Sequence, residues 1–134
     1  MALFFLTNPS YEKSLQAKYY YEIGDYHEAY KLANEAFVLD VYNRMASTIM
    51  AQSKTSMKYE KYIEQSKSYL REINDIIAND TIDEAKRSKI KLMSEVMVDS
   101  YIKLAPSVVT DKALVDEAAR YHEQFEKILE KVDR

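Results

Sequence analysis

Tyr20-Tyr21-Glu22-Ile23-Gly24-Asp25-Tyr26-His27-Glu28-Ala29-Tyr30 contains the only glycine of the chain and reads as the corner of a helical hairpin. Glycine reaches positive φ at little cost, so Gly24 can close one helix. Asp25 then offers a carboxylate to the unpaired N–H groups of the next helix, and Glu28, three positions on, has the spacing of a capping box. Two helices therefore leave this corner antiparallel.

Upstream, Asn8-Pro9 supplies a cap and a proline at the first helical position, where the missing N–H costs nothing. The first helix is expected to run to Ile23, with Tyr11, Leu15, Tyr19, Tyr20 and Ile23 three and four apart on one face. Downstream, Tyr26, Ala29, Tyr30, Ala33, Ala36, Phe37 and Val41 trace a stripe whose alanines let a neighbouring backbone come close. A short break is expected between Leu39 and Asn43, where Asp40 and Asn43 can cap. A third helix, with Tyr42, Met45, Ala46 and Ile49 on its face, reaches about Lys54. Thr55-Ser56 opens a fourth, whose stripe from Tyr59 through Tyr62, Ile63, Ser66, Leu70 and Ile73 to Ile77 is the strongest periodic signal in the chain. After a turn at Asn79-Asp80-Thr81, Thr81 and Glu84 form a second capping box for a fifth helix that must stop before Pro106. Its apolar residues include Ile82, Ala85, Met93, Val96, Met97, Tyr101 and Leu104. The last helix begins after Thr110, and Leu114, Ala118, Tyr121, Phe125, Ile128 and Val132 form a nearly heptad stripe. The expected fold is all-α with about six helices in a single domain over 1–134. Helical hairpins fill 8–77, and a long helical hairpin over 80–134 caps them.

Composition agrees and excludes several classes of function. The 134 residues include one Gly, two Pro and no Cys, with 47% hydrophobic and 31% charged residues. That is poor in the breakers that strand-rich folds use at their turns, and long enough to bury a core without staples. A net charge of −3 has the wrong sign to steer the molecule as a whole toward nucleic acid or anionic lipid. Met1-Ala2-Leu3-Phe4-Phe5-Leu6 lacks the basic flank of a secretory signal, and no window reaches the ~18–20 apolar residues of a membrane span. A cytoplasmic protein is expected, with the Phe4-Phe5-Leu6 arm packed. Lys86-Arg87-Ser88-Lys89-Ile90-Lys91 reads as a solvated helix face, because Asp83 and Glu84 lie one turn upstream and no aromatics interleave. Neither His27 nor His122 has a second His or a carboxylate cluster around it at helical ligand spacing, the serines between Ser53 and Ser68 have no nearby histidine, and one glycine cannot build a phosphate loop. No catalytic residue, metal or cofactor is expected.

Ala17, Tyr20, Gly24-Asp25-Tyr26, Ala29, Ala36, Leu39 and Asp40 together resemble one unit of the tetratricopeptide repeat, a helix pair with a period near 34 residues. The match runs from Ser10 to Asp40, with Val41 where the family closes on proline. Displaced by 34, it becomes Ala51, Ile63, Leu70, Ile73 and Asn74, a degenerate second unit in which Lys58-Tyr59 replaces the corner. So few units cannot bury their own faces, and the two long last helices would serve as the cap. The resemblance implies a non-enzymatic interaction or scaffolding module with an aromatic-lined groove for a peptide or helix. The groove residues it implies are Tyr11, Ser14, Lys18 and Tyr21, then Met45, Thr48 and Gln52. Lys18 alone cannot make the clamp that some members use for a C-terminal carboxylate. A weaker resemblance is to HEPN domains without catalytic activity. The ribonucleases of that group need Arg and His converging on one helix face, whereas Arg120 and His122, two apart, face nearly opposite ways.

Twelve tyrosines and no tryptophan suit either the rim of a loosely packed helical core or an amphipathic contact surface. Tyr19-Tyr20-Tyr21 must cover ~200° of a helix, so one of them, Tyr21, is expected to be exposed or to lie in a groove. The expected partner is a protein, a peptide or a second copy of the chain, the last through the heptad-like helix or the Phe4-Phe5-Leu6 arm. No nucleic acid, membrane or small-molecule substrate is expected.

Overall fold

Gly24 sits at φ +86°, between helix α1 (Pro9–Glu22) and helix α2 (Tyr26–Leu39). The Asp25 N–H donates to the Tyr20 carbonyl at 2.9 Å and the Gly24 N–H to the Tyr21 carbonyl at 3.1 Å. This pair of bonds is a Schellman turn. A Cβ at Gly24 would meet no atom within 4 Å, so the demand for glycine comes from the positive φ and not from crowding. The Asp25 carboxylate accepts the Glu28 N–H at 3.2 Å, as expected. The return half of the capping box is not made, because the Asp25 N–H is already committed to Tyr20.

The computed structural model describes residues 8–79 and 81–133. The Phe4-Phe5-Leu6 arm, and Asp80 of the turn expected at 79–81, lie outside the described residues. Among the described residues there are five helices and no strand; the remaining three are α3 (Arg44–Asn79), α4 (Glu84–Ile102) and α5 (Lys112–Val132). The expected break after Leu39 is present: Asp40 ends α2, and the Asn43 side chain caps α3 by accepting the Ala46 N–H at 3.1 Å. The sixth helix is not, because the expected third and fourth are one helix of 36 residues. Thr55 does not cap a new start. Its hydroxyl donates back to the Ala51 carbonyl at 3.2 Å, a bond that leaves the helix running. Lys58 and Tyr59, where a second repeat would turn its corner, stand in the middle of α3. At α4 the cap is Asp83, which accepts the Lys86 N–H at 2.8 Å, and not Thr81.

Two compact units divide the chain at Met57/Lys58. In the first, α1 and α2 pack antiparallel through small residues. Ser10, Ser14 and Ala17 are the buried residues of α1, facing a set on α2 that includes Ala29, Ala33 and Ala36. The Ser10 hydroxyl donates to the Ala36 carbonyl at 2.8 Å, and Lys13 pairs with Glu35 at 3.1 Å. Asn43 adds the start of α3, its amide donating to the Ser10 hydroxyl at 3.0 Å. The seam corrects the expected face of α1: Leu15, Tyr19 and Ile23 are exposed. Where α1 presents Ser10, Ser14 and Ala17 to the alanines of α2, the two helices can approach closely enough for side chain to reach backbone, and larger residues there would hold them apart. Tyr42, expected on a helix face, lies outside any helix at 89% exposure.

In the second unit, Tyr59, Tyr62, Ile63 and Ile73 of α3 meet Ile90, Met93 and Met97 of α4, with Leu104 and, from α5, Ala118 and Phe125. Of the expected stripes, α3 buries Tyr59, Tyr62, Ile63, Ser66 and Ile73 and α5 buries Ala118 and Phe125, with Leu70, Leu114, Tyr121, Ile128 and Val132 half-buried, whereas Ile77, Ile82, Ala85 and Val96 are exposed. The Tyr62 hydroxyl donates to the Met97 carbonyl at 3.2 Å. Burial pushes its phenol up to about 12, from the ordinary value of 10.0. A phenol kept neutral by the fold stabilises fully below pH ~10, and that contribution disappears as pH rises from ~10 to ~12, because the unfolded chain ionises first. Urea midpoints measured from pH 8 to 12 are expected to fall over this window in the native chain. In Tyr62→Phe the fall is expected to be shallower, with about 1 kcal/mol lost at neutral pH from the missing hydrogen bond.

Candidate functional site

Because the seam consumes the small residues of α1, its larger ones are left facing outward. Leu15 and Tyr19 keep 37% and 58% exposure. Together with Gln16 and Tyr20 of the same helix, and Glu28 and Leu32 of α2, they line a cleft of about 570 Å³ in the first unit. Its floor is firm: Leu32 belongs to the buried core of that unit, and Tyr20 packs against the same core. Its wall is aromatic. The Tyr19 and Tyr20 rings meet edge to face, with centroids 5.3 Å apart and planes at 75°, a favoured arrangement for an aromatic pair. Glu28 supplies the one carboxylate. Freed from the capping box, it is half-buried with no partner among the described residues.

None of the seven residues expected to line a groove lines this cleft. Ser14, expected in the groove, is fully buried, its hydroxyl donating to the Tyr11 carbonyl at 2.7 Å. Tyr11 is half-buried, Lys18 exposed, Met45 half-buried against the core, Thr48 exposed and Gln52 half-buried. Tyr21 is half-buried, packed against the core and edge-on to Tyr26 at 5.4 Å, so Tyr19 and not Tyr21 takes the most exposed place in the tyrosine run. The signal that would have found the cleft is the pair Leu15 and Tyr19 at i, i+4, set against Ser10, Ser14 and Ala17 on the other side of the helix.

His122 stacks on Tyr101 at 4.1 Å with planes 17° apart, its Nδ1 lying 3.4 Å from Glu126. Among the described residues no group of three His, Cys, Asp or Glu side chains is placed to hold a metal ion. Three residues of the basic cluster of α4 reach other elements of the second unit at its surface. Lys89 pairs with Glu72 at 2.7 Å, Lys91 with Asp133 at 3.1 Å, and the Arg87 guanidinium donates to the Val132 carbonyl. A second concavity of about 540 Å³, lined by Ile73, Ile77, Ile90 and Ile128 among others, is the open end of that unit's own core. No helix among the described residues is long and apolar enough to cross a membrane.

Compared with known protein families, with curated proteins and with solved structures, the chain matches none.

Proposed function

We propose that the chain is a non-enzymatic binding module whose α1–α2 hairpin takes a short helical or extended segment of a protein partner in the Tyr19 cleft. The observation that carries this reading is the outward pair Leu15 and Tyr19 over a preformed apolar floor. Exposed singly, such residues need no explanation; gathered in a cleft, they mark a contact surface. The volume suits recognition of a few anchoring side chains, and tyrosine offers contact area at low entropic cost. The likeness of residues 10–40 to a tetratricopeptide unit supports the same reading, since helix pairs of that kind serve protein binding.

A display library of 12-residue peptides selected on the immobilised chain tests it. Peptides enriched on the native protein are expected to lose at least about tenfold in affinity for the double variant Leu15→Ser/Tyr19→Ser. Both side chains lie outside the seam, so the variant should keep the helical circular-dichroism signal of the parent. Undiminished binding to the variant, or no enrichment on the native chain, would refute the reading.

A further inference from the structure

We infer that the cleft selects a cation, a lysine or arginine side chain of the partner segment seated against Tyr19 and Tyr20 with its charge toward Glu28. This rests on the proposed binding role of the cleft and specifies the chemistry of what enters it. Two rings at 75° form two walls of a corner, and the faces of aromatic rings attract an ammonium or guanidinium within about 6 Å of their centroids. The third element is the Glu28 carboxylate, half-buried and without a counter-ion among the described residues. A carboxylate partly withdrawn from water gains most from a cation brought to it. No basic residue lines the cleft to supply that cation internally.

The surroundings act in the same sense. The hairpin, residues 9–39, carries five carboxylates against three lysines, and Lys13 and Glu35 neutralise one another. Lys18 and Lys31 are exposed and outside the cleft. The hairpin thus presents a negative field, which draws a basic segment in and repels an acidic one, more weakly as salt rises. A carboxylate-clamp ligand is the opposite of what this surface fits.

The peptides enriched by display provide the test, read by calorimetry on the full chain. They are expected to carry Lys or Arg, and replacing that residue by norleucine should weaken binding about tenfold to the native chain and less than about twofold to Glu28→Gln. The Glu28 side chain makes no hydrogen bond in the turn, so Glu28→Gln should stay folded, with a small fall in melting temperature from the charge lost at the N-terminal turn of α2. Cleft-dependent peptides that lack a cation, or norleucine peptides that bind equally well, overturn the cation selectivity and leave the binding role standing. If no peptide is enriched the binding role itself falls, and n-butylammonium against 1-butanol, followed by the Tyr19 and Tyr20 ring-proton shifts, decides the selectivity alone: equal shifts overturn it, and larger, Glu28-dependent shifts with the cation uphold it.

Discussion

Phe125→Ala is expected to cost about 3–5 kcal/mol, the range for removing a fully buried aromatic ring. Phe125 has no exposed surface and belongs to the core formed by Tyr59, Ile73, Met97 and Ala118. The lost transfer energy is joined by a cavity term, because the α3, α4 and α5 backbones around it cannot collapse without breaking their own hydrogen bonds. With no cysteine in the chain, no cross-link limits the damage. Phe125→Leu, which keeps most of the volume, should recover more than half of the loss. Urea unfolding read by circular dichroism measures both: the midpoint should shift while the slope is retained. A loss below about 1 kcal/mol for Phe125→Ala would mean that the ring is not enclosed.

How far this architecture was legible depends on whether a local signal had a tertiary competitor. The Gly24 corner and the caps at Asn8, Asp25 and Asn43 were legible because a lone glycine or a short carboxylate or amide acts on backbone within three residues of itself. The stripe from Tyr59 to Ile73 was legible because large apolar side chains at helical spacing have few alternatives to burial. Thr55-Ser56 misled because a hydroxyl that can cap a helix can equally donate to the carbonyl four residues back, and only the continuing apolar face decides which. Thr81 lost its capping role to Asp83, two residues on, where a carboxylate competes for the same free N–H groups. Among the serines between 53 and 68 only Ser66 fell on the expected stripe, yet Ser53 and Ser56 are fully buried as well. Close helix packing selects side chains by size before polarity, and a hydropathy pattern ranks them the other way. For the same reason the cleft was hidden: pattern reading sends Leu15 and Tyr19 inward, and the serine–alanine seam turns them out.

Ala17→Leu and Leu15→Ala, two residues apart on α1, are expected to have effects in the reverse of their usual order. Leucine-to-alanine changes in a core cost about 2–5 kcal/mol, but Leu15 stands at 37% exposure on the outer side of the helix, so its truncation should cost less than about 1 kcal/mol. Ala17 is fully buried in the cluster with Ala29 and Ala33, and three added carbons there have nowhere to go. Over-packing of that kind costs about 1–3 kcal/mol. The seam is close enough for the Ser10 hydroxyl to reach the Ala36 carbonyl at 2.8 Å, and a leucine at 17 must either lengthen that contact or bend α1. Either response moves Tyr19 and Tyr20 relative to Glu28 and Leu32, so Ala17→Leu should weaken peptide binding even at temperatures where the chain stays folded. Leu15→Ala, in contrast, should weaken binding with little change in melting temperature. Thermal melts of the two variants beside the peptide affinities separate the effects. If Leu15→Ala proved the more destabilising, α1 would be turned with its leucine inward, and the cleft on which the binding role depends would be closed.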